Sequence, residues 1–187
     1  MSKLVVFNSI SLDGYFTDAQ GDMGWAHRSD PEWDEFIGGN ARQGATLLFG
    51  RVTYEQMASF WPTPAALQMA PDVARGMNEA PKVVFSRSLR RAAWSNTRVV
   101  NAAMPESVRA LKRDKRSDLV VLGSGNVVSQ LAEEGLVDAY QMVLVPVVLG
   151  AGRTLFEGVR QRFDLQLVRS QPFRNGNVVL WYERRPA

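Results

Sequence analysis

Residues 120–131, VVLGSGNVVSQL, run from an apolar stretch through two glycines into helical spacing. A strand that turns through glycine into a helix leaves the first-turn N–H groups of that helix without intrahelical acceptors. Those donors, together with the helix dipole, attract phosphate. Gly123, Ser124, Gly125, Asn126 and Val127 are therefore candidate cofactor-binding residues. LLFGRVTYEQM repeats the arrangement: Gly50 closes a strand, and Arg51, Val52 and Thr53 open a helix, where a guanidinium can pair with phosphate and a hydroxyl can donate to it. A third corner, VVFSRSL, sets Ser86 and Arg87 straight after a strand. A tight turn or a solvated arginine explains any one of these corners. Three in one small chain suit a ligand with several phosphates, such as a dinucleotide. The Rossmann fingerprint does not fit, because its third glycine would stand where Val128 stands and it belongs to the first strand–helix turn of a domain.

Composition removes most other chemistry. The 187 residues include no cysteine, which excludes disulfides and thiolate nucleophiles, and one histidine, His27, so no metal site is expected. His27 falls in a long loop and reads more readily as a solvated residue than as a catalytic acid. The net charge is +3, with basic residues gathered in RALKRDKRSD (109–118) and YERRPA. Aromatics are not interleaved with them, so no nucleic-acid partner is expected. No stretch approaches the length of a membrane span and the N-terminus lacks a signal-peptide body, which points to the cytoplasm and to no membrane partner.

The elements that must position these corners alternate along the chain. KLVVFNSI reads as a buried strand and SLDGYFTDAQGDMGW as a long, site-forming loop. Asp30 is placed to cap a helix that begins at Pro31, and Gly44 ends it. ATLLFG is a strand, RVTYEQMASFW a helix stopped by Pro62 and Pro64, and a short helix follows around APDVARGMNEA. PKVVFS, NTRVVN and DLVVLG are strands, with helices over 105–114 and from Asn126 to Glu134. DAYQMVLVPVVLG is a long β-type run, and the last two segments pair through RNGN as a hairpin. The order predicts one α/β domain over 1–187: a mixed, mostly parallel sheet with helices on both faces and an antiparallel C-terminal hairpin. The YQMVLVPVVLG strand and the hairpin are too apolar to leave as an exposed edge, so a homodimer through that region is expected.

The succession FNSISLDGYF, LLFGRVTYE, VVFSRSL, VLGSGNVVSQL and LVPVVLGAGRTLF resembles the dihydrofolate reductase-like fold, in the branch that includes the reductase domain of riboflavin biosynthesis. The resemblance covers nearly the whole chain. It implies a three-layer fold with an eight-stranded mixed sheet, commonly homodimeric, and an NADPH-dependent reductase. The reaction would be hydride transfer to a pterin, pyrimidinone or related nitrogen heterocycle, as in 5-amino-6-(5-phosphoribosylamino)uracil reductase or dihydrofolate reductase. Carried over, Arg51, Thr53, Ser86 and Arg87 hold the adenosine side and its 2′-phosphate. Gly123, Gly125, Asn126 and Val127 border the pyrophosphate and nicotinamide, and Pro146, Gly150, Gly152 and Phe156 lie toward the nicotinamide or substrate end. The zinc deaminase often fused to the riboflavin-pathway enzyme has no counterpart here.

Hydride transfer asks little of side chains beyond placement, because the cofactor carries the reactivity. Glu32 is the nearest match to the helix carboxylate of classical dihydrofolate reductases, ahead of Asp34 by register, and a solvated first-turn carboxylate is an equal reading. Asp13, in the first loop, is the second catalytic candidate, with Asn8, Ser9 and Trp25 shaping the substrate pocket. The reading from another class is a dinucleotide-binding sensor or partner-binding module without turnover.

Overall fold

The apolar runs LVVF, TLLF and LVVL lie side by side in the middle of one sheet, as parallel strands with helices on both faces should. The computed structural model describes residues 1–114 and 117–185; Lys115 and Arg116 of the basic run, with Pro186 and Ala187 of the tail, lie outside them. In chain order the elements are β1 (Leu4–Ser11), β2 (Tyr15–Thr17), α1 (Pro31–Ala41), β3 (Thr46–Gly50), α2 (Arg51–Phe60), α3 (Pro64–Met69), α4 (Pro71–Glu79), β4 (Lys82–Phe85) and β5 (Thr97–Val100). There follow α5 (Met104–Asp114), β6 (Leu119–Leu122), α6 (Gly125–Glu133), β7 (Ala139–Val145), β8 (Arg153–Thr154), β9 (Leu165–Pro172) and β10 (Val178–Arg184). The eight-stranded sheet has the order β5-β4-β3-β6-β1-β7-β10-β9, and β10 runs antiparallel to both its neighbours. The expected mixed α/β sheet with an antiparallel C-terminal hairpin is the observed fold.

The two faces are filled differently. On one, Leu4, Val6, Leu119 and Val121 are buried beneath Val127, Val128 and Leu131 of α6 and Val108 of α5. On the other, two separate clusters form. Leu47, Phe49, Val84, Tyr54, Met77 and Trp94 gather under α2 and α4. Trp33 of α1 packs with Val143, Val145, Phe173 and Val179, its ring 5.1 Å from that of Phe173. Between the clusters the sheet is only partly covered.

Three local devices set α1 and α4. Asp30 accepts the N–H of Trp33 at 3.0 Å, the predicted cap, and its second oxygen accepts the N–H of Asn175 from the β9–β10 turn, also at 3.0 Å. Gly76 lets α4 touch α1, since a Cβ there would stand 2.6 Å from the carbonyl oxygen of Ala41. Lys82 is buried, and its ammonium donates to the carbonyls of Asn78, Ala80 and Ser95 past the end of α4, while burial pushes its pKa down to about 8.

The structure departs from expectation in three places. The short helix expected around APDVARGMNEA is α4, but a further helix, α3, precedes it; Pro71 separates the two by removing a helical N–H and driving Ala70 out of the helical region. The first loop is not free of structure: β2 pairs with β8, and a 3-10 turn spans Gly24–Ala26. Finally, β7 is no edge. It is paired with β1 on one side and β10 on the other, so its apolar character reflects an interior strand; the edge on that side is β9, where Leu167 and Val168 are exposed.

The α1–α4 contact gives a prediction of opposite signs at two glycines. Gly76→Ala meets a backbone oxygen, and overpacking of about 1–3 kcal/mol outweighs the roughly 1 kcal/mol gained in helix propensity, so the protein is destabilised. Gly39→Ala has its nearest neighbour 3.9 Å away, on the flexible Arg42 side chain, and gains up to about 1 kcal/mol. Urea unfolding of the two variants measures both.

Candidate functional site

The glycine corners at Gly50 and Gly123–Gly125 are one structure. Gly123 and Ser124 both lie in the left-handed region, at φ 56° and 55°. A Cβ on Gly123 would approach Thr53 Cγ2 to 2.9 Å, and one on Gly125 would approach Phe16 Cζ to 2.5 Å, so close packing demands glycine at both. Ser124 has a side chain and pays about 1–2 kcal/mol for its conformation. Its hydrogen bonds offset that cost. Its Oγ accepts the N–H of Gly50 at 3.0 Å, and its own N–H donates to Thr53 Oγ1 at 3.1 Å. Asn8 Nδ2 adds a bond to the carbonyl of Gly123 at 3.0 Å. The starts of α2 and α6 are thereby fixed side by side, and neither helix has a side-chain cap. Two sets of first-turn N–H groups are left for a ligand.

These helix starts stand over a cleft whose floor is the partly covered strip of sheet. Strand register aligns Leu122, Phe7, Gln141 and Trp181 in one row and Leu47, Val120, Val5 and Ala139 in the next. Val5, Phe7, Val120 and Leu122 are half-buried there, whereas Leu4, Val6, Leu119 and Val121 on the opposite face are 0–2% exposed. The cleft encloses about 2230 Å³, more than the roughly 300–1,000 Å³ of a single drug-sized ligand. An apolar floor with polar corners at one end suits a flat ring beside a phosphorylated arm.

Of the residues singled out in the sequence, Asn8, Ser9, Gly50, Arg51, Val52, Thr53, Ser86, Arg87, Gly123, Ser124, Gly125, Asn126 and Val127 all line this cleft. Arg51 is half-exposed and pairs with Glu55 at 2.8 Å. Arg87 is exposed and has no ion pair among the described residues. The hydroxyl of Ser86 accepts the N–H groups of Ser88 and Leu89, so it shapes the turn that carries Arg87.

Seven others stand off the cleft wall, among them Gly152 and Phe156 on either side of β8. Asp13 accepts the Ser11 hydroxyl at 2.7 Å and the N–H groups of Leu149 and Gly150; these bonds hold its carboxyl below the ordinary range and make it a charged brace between two loops. Gly150 is the other half of that brace, at φ 74°. Pro146 is exposed and packs near Gly176. Trp25 packs against the Trp33 cluster, giving this loop tryptophan a core to join. Glu32 is exposed on the side of α1 away from the cleft, while Asp34, ranked behind it by register, lines the cleft and accepts the Ser29 hydroxyl at 2.7 Å. Three cleft residues had no signal read in the sequence. Gln141 and Asn40 sit among apolar or small neighbours, and Arg153 of β8 pairs with Glu157 at 3.2 Å. A lone glutamine at a core-facing position of an apolar strand was a legible cue.

The model of the RibD C-terminal domain family matches residues 2–179. The uncharacterized protein YyaP of Bacillus subtilis is 26% identical over 96% of this chain and 94% of its own length. A crystal structure of a protein from Shewanella sp. PV-4, named for riboflavin biosynthesis, superposes with a TM-score of 0.79 at 21% identity, covering 98% of this chain and 99% of that one. Dihydrofolate reductase from Enterococcus faecalis, complexed with NADP(H) and RAB-propyl, superposes with a TM-score of 0.67 at 18% identity, covering 98% of this chain and 97% of that one. At these identities the two structures establish a shared fold.

The shared corner predicts an unusual ranking. Ser124→Ala leaves the Gly50 N–H without its acceptor and keeps the left-handed backbone, costing about 1–3 kcal/mol. Ser124→Gly loses the same bond but relieves about 1–2 kcal/mol of conformational cost. In chemical denaturation Ser124→Gly should therefore exceed Ser124→Ala in stability, although glycine is normally the poorer replacement.

Proposed function

The chain belongs to the RibD C-terminal domain family, and on that premise we propose that it is an NADPH-dependent reductase of a pterin, pyrimidinone or related nitrogen heterocycle, working in the cytoplasm. The observation that carries the reading is the joined corner: two uncapped helix starts locked together by Ser124, Gly50 and Thr53, with Arg51 and Arg87 on the same cleft. The residues fit a dinucleotide, because N–H groups of α2 and α6 can take phosphate oxygens and the two arginines can take a 2′-phosphate. When bound, the nicotinamide supplies the hydride.

This chain's own residues then hold and shield. Phe16, packed on Gly125, closes the cleft beside the corner, and the brace of Asp13 on Leu149 and Gly150 keeps the loop that carries Phe16 in place. Val5, Phe7, Val120 and Leu122 give a heterocycle an apolar surface and exclude water from one of its faces. In this reading Asp34, one of two α1 carboxylates that line the cleft, orients the water that delivers the accompanying proton. A homodimer belongs to the same proposal, with β9 as the contact: it is an edge strand with Leu167 and Val168 exposed. A monomeric mass by light scattering at micromolar concentration removes that part.

Titration with NADPH and NADH, followed by nicotinamide fluorescence, tests the cofactor. NADPH should bind in preference to NADH. Arg51→Ala and Arg87→Ala should each weaken NADPH by about tenfold, the scale of one charge-assisted contact at an exposed site, and leave NADH nearly unchanged. Equal loss for both cofactors defeats the 2′-phosphate assignment. Tight NADPH binding without oxidation by any heterocycle would leave a dinucleotide-binding module.

A further inference from the structure

The floor of the cleft is mostly apolar, and in the row of Leu122, Phe7 and Trp181 one polar residue interrupts it. On β7, an interior strand, the residues facing the cleft side are Ala139, Gln141, Val143 and Val145, and Gln141 is the polar one. It is half-buried, lines the cleft between Phe7 and Trp181, and its side-chain amide has no hydrogen-bond partner among the described residues. Above this row lies α1, with the Phe36 ring 5.9 Å from that of Trp181. One turn further along the same helix face comes Asn40, which also lines the cleft. The Nδ2 of Asn40 is enclosed and has no acceptor. An unpaired buried donor is a standing cost, and a ligand oxygen that reaches the amide offsets it.

We propose that Gln141 and Asn40 are the specificity-determining residues of this cleft, and that they select a ring edge carrying an uncharged N–H donor beside a carbonyl acceptor over a cationic edge. The proposal rests on the reductase reading. Each primary amide sets an NH2 donor group beside a carbonyl acceptor, the complement of a lactam edge, and neither supplies the negative charge that a protonated amidine-type edge requires. Of the two α1 carboxylates on the cleft, Glu35 pairs with Arg42 at 2.7 Å, and Asp34, which accepts the Ser29 hydroxyl, stands six residues before Asn40, about 9 Å away along the helix axis. Discrimination by such a site is strong because a wrong edge leaves buried amide groups unpaired.

The experiment is calorimetric titration of the NADPH-saturated protein with 6-aminouracil, which has a neutral lactam edge, and with 2,4-diaminopyrimidine, which has a cationic one. The wild-type protein should prefer 6-aminouracil. Gln141→Met and Asn40→Ala should each weaken 6-aminouracil by at least about tenfold while NADPH still binds, and Asn40→Asp should turn the preference toward 2,4-diaminopyrimidine. Gln141→Glu keeps the side chain's shape and guards against disturbance of the sheet by methionine; it loses the donor and should show the same loss. The proposal is overturned if the variants hold 6-aminouracil within about twofold of the wild type. It is equally overturned if the wild-type protein prefers 2,4-diaminopyrimidine, or binds NADPH and neither ring. A chain that binds no nicotinamide nucleotide at all defeats the reductase reading, and this proposal with it.

Discussion

The exchange of hydrogen bonds between Ser124, Gly50 and Thr53 sets the relation of every other part of the cleft. Ser124 accepts from one strand end and donates to the helix that follows it, so β3–α2 and β6–α6 cannot move independently at the carboxyl edge of the sheet. Asn8 brings β1 into the same knot and Phe16 brings the first loop. A residue in an unfavourable backbone region persists only where its surroundings over-determine it, and here four segments do so. The helix starts are held in position before any ligand arrives, which lowers the ordering cost of binding.

A second constraint is the unequal filling of the sheet. Six parallel strands need cover on both faces, and on one α5 and α6 provide it together with Leu155, Phe156 and Phe163, which pack by Tyr140 of β7. On the other, α1 leans toward β7 and β10 while α2 and α4 lean toward β3 and β4, leaving β6 and β1 between them half-covered. The opening lies at the middle of the sheet, where the strand order turns back on itself and α/β sheets commonly place ligands.

Much of this was legible in the sequence because glycine and proline punctuate it. Gly50, Gly123 and Gly135 mark the ends of elements, Pro31 with Asp30 marks a helix start, and the period of the apolar residues distinguishes strand from helix between them. Pairing partners were not legible. The apolar run of β7 looks the same whether its second neighbour is β10 of its own chain or a strand of another molecule. Side-chain direction was likewise hidden. Glu32 and Asp34 are two residues apart on a helix and so point to different sides, and the choice depends on how α1 rolls over Trp33, which is fixed by Phe173 and Val179 near the other end of the chain. Asp13 has the composition of a catalytic group, but its partners are Leu149 and Gly150, residues no local pattern connects with it.

The carboxylate of Asp30 reaches from the first turn of α1 to Asn175, in the turn that joins the last two strands of the sheet. β1 is flanked by β6 and β7, and β7 by β10, so the wall and half the floor of the cleft depend on segments translated after the phosphate-binding corner. During synthesis the chain makes α2 to α5 and their crossovers with the first strand lacking its lasting neighbours. A nascent chain halted before the β9–β10 turn therefore has the phosphate-binding corner without the wall that faces it.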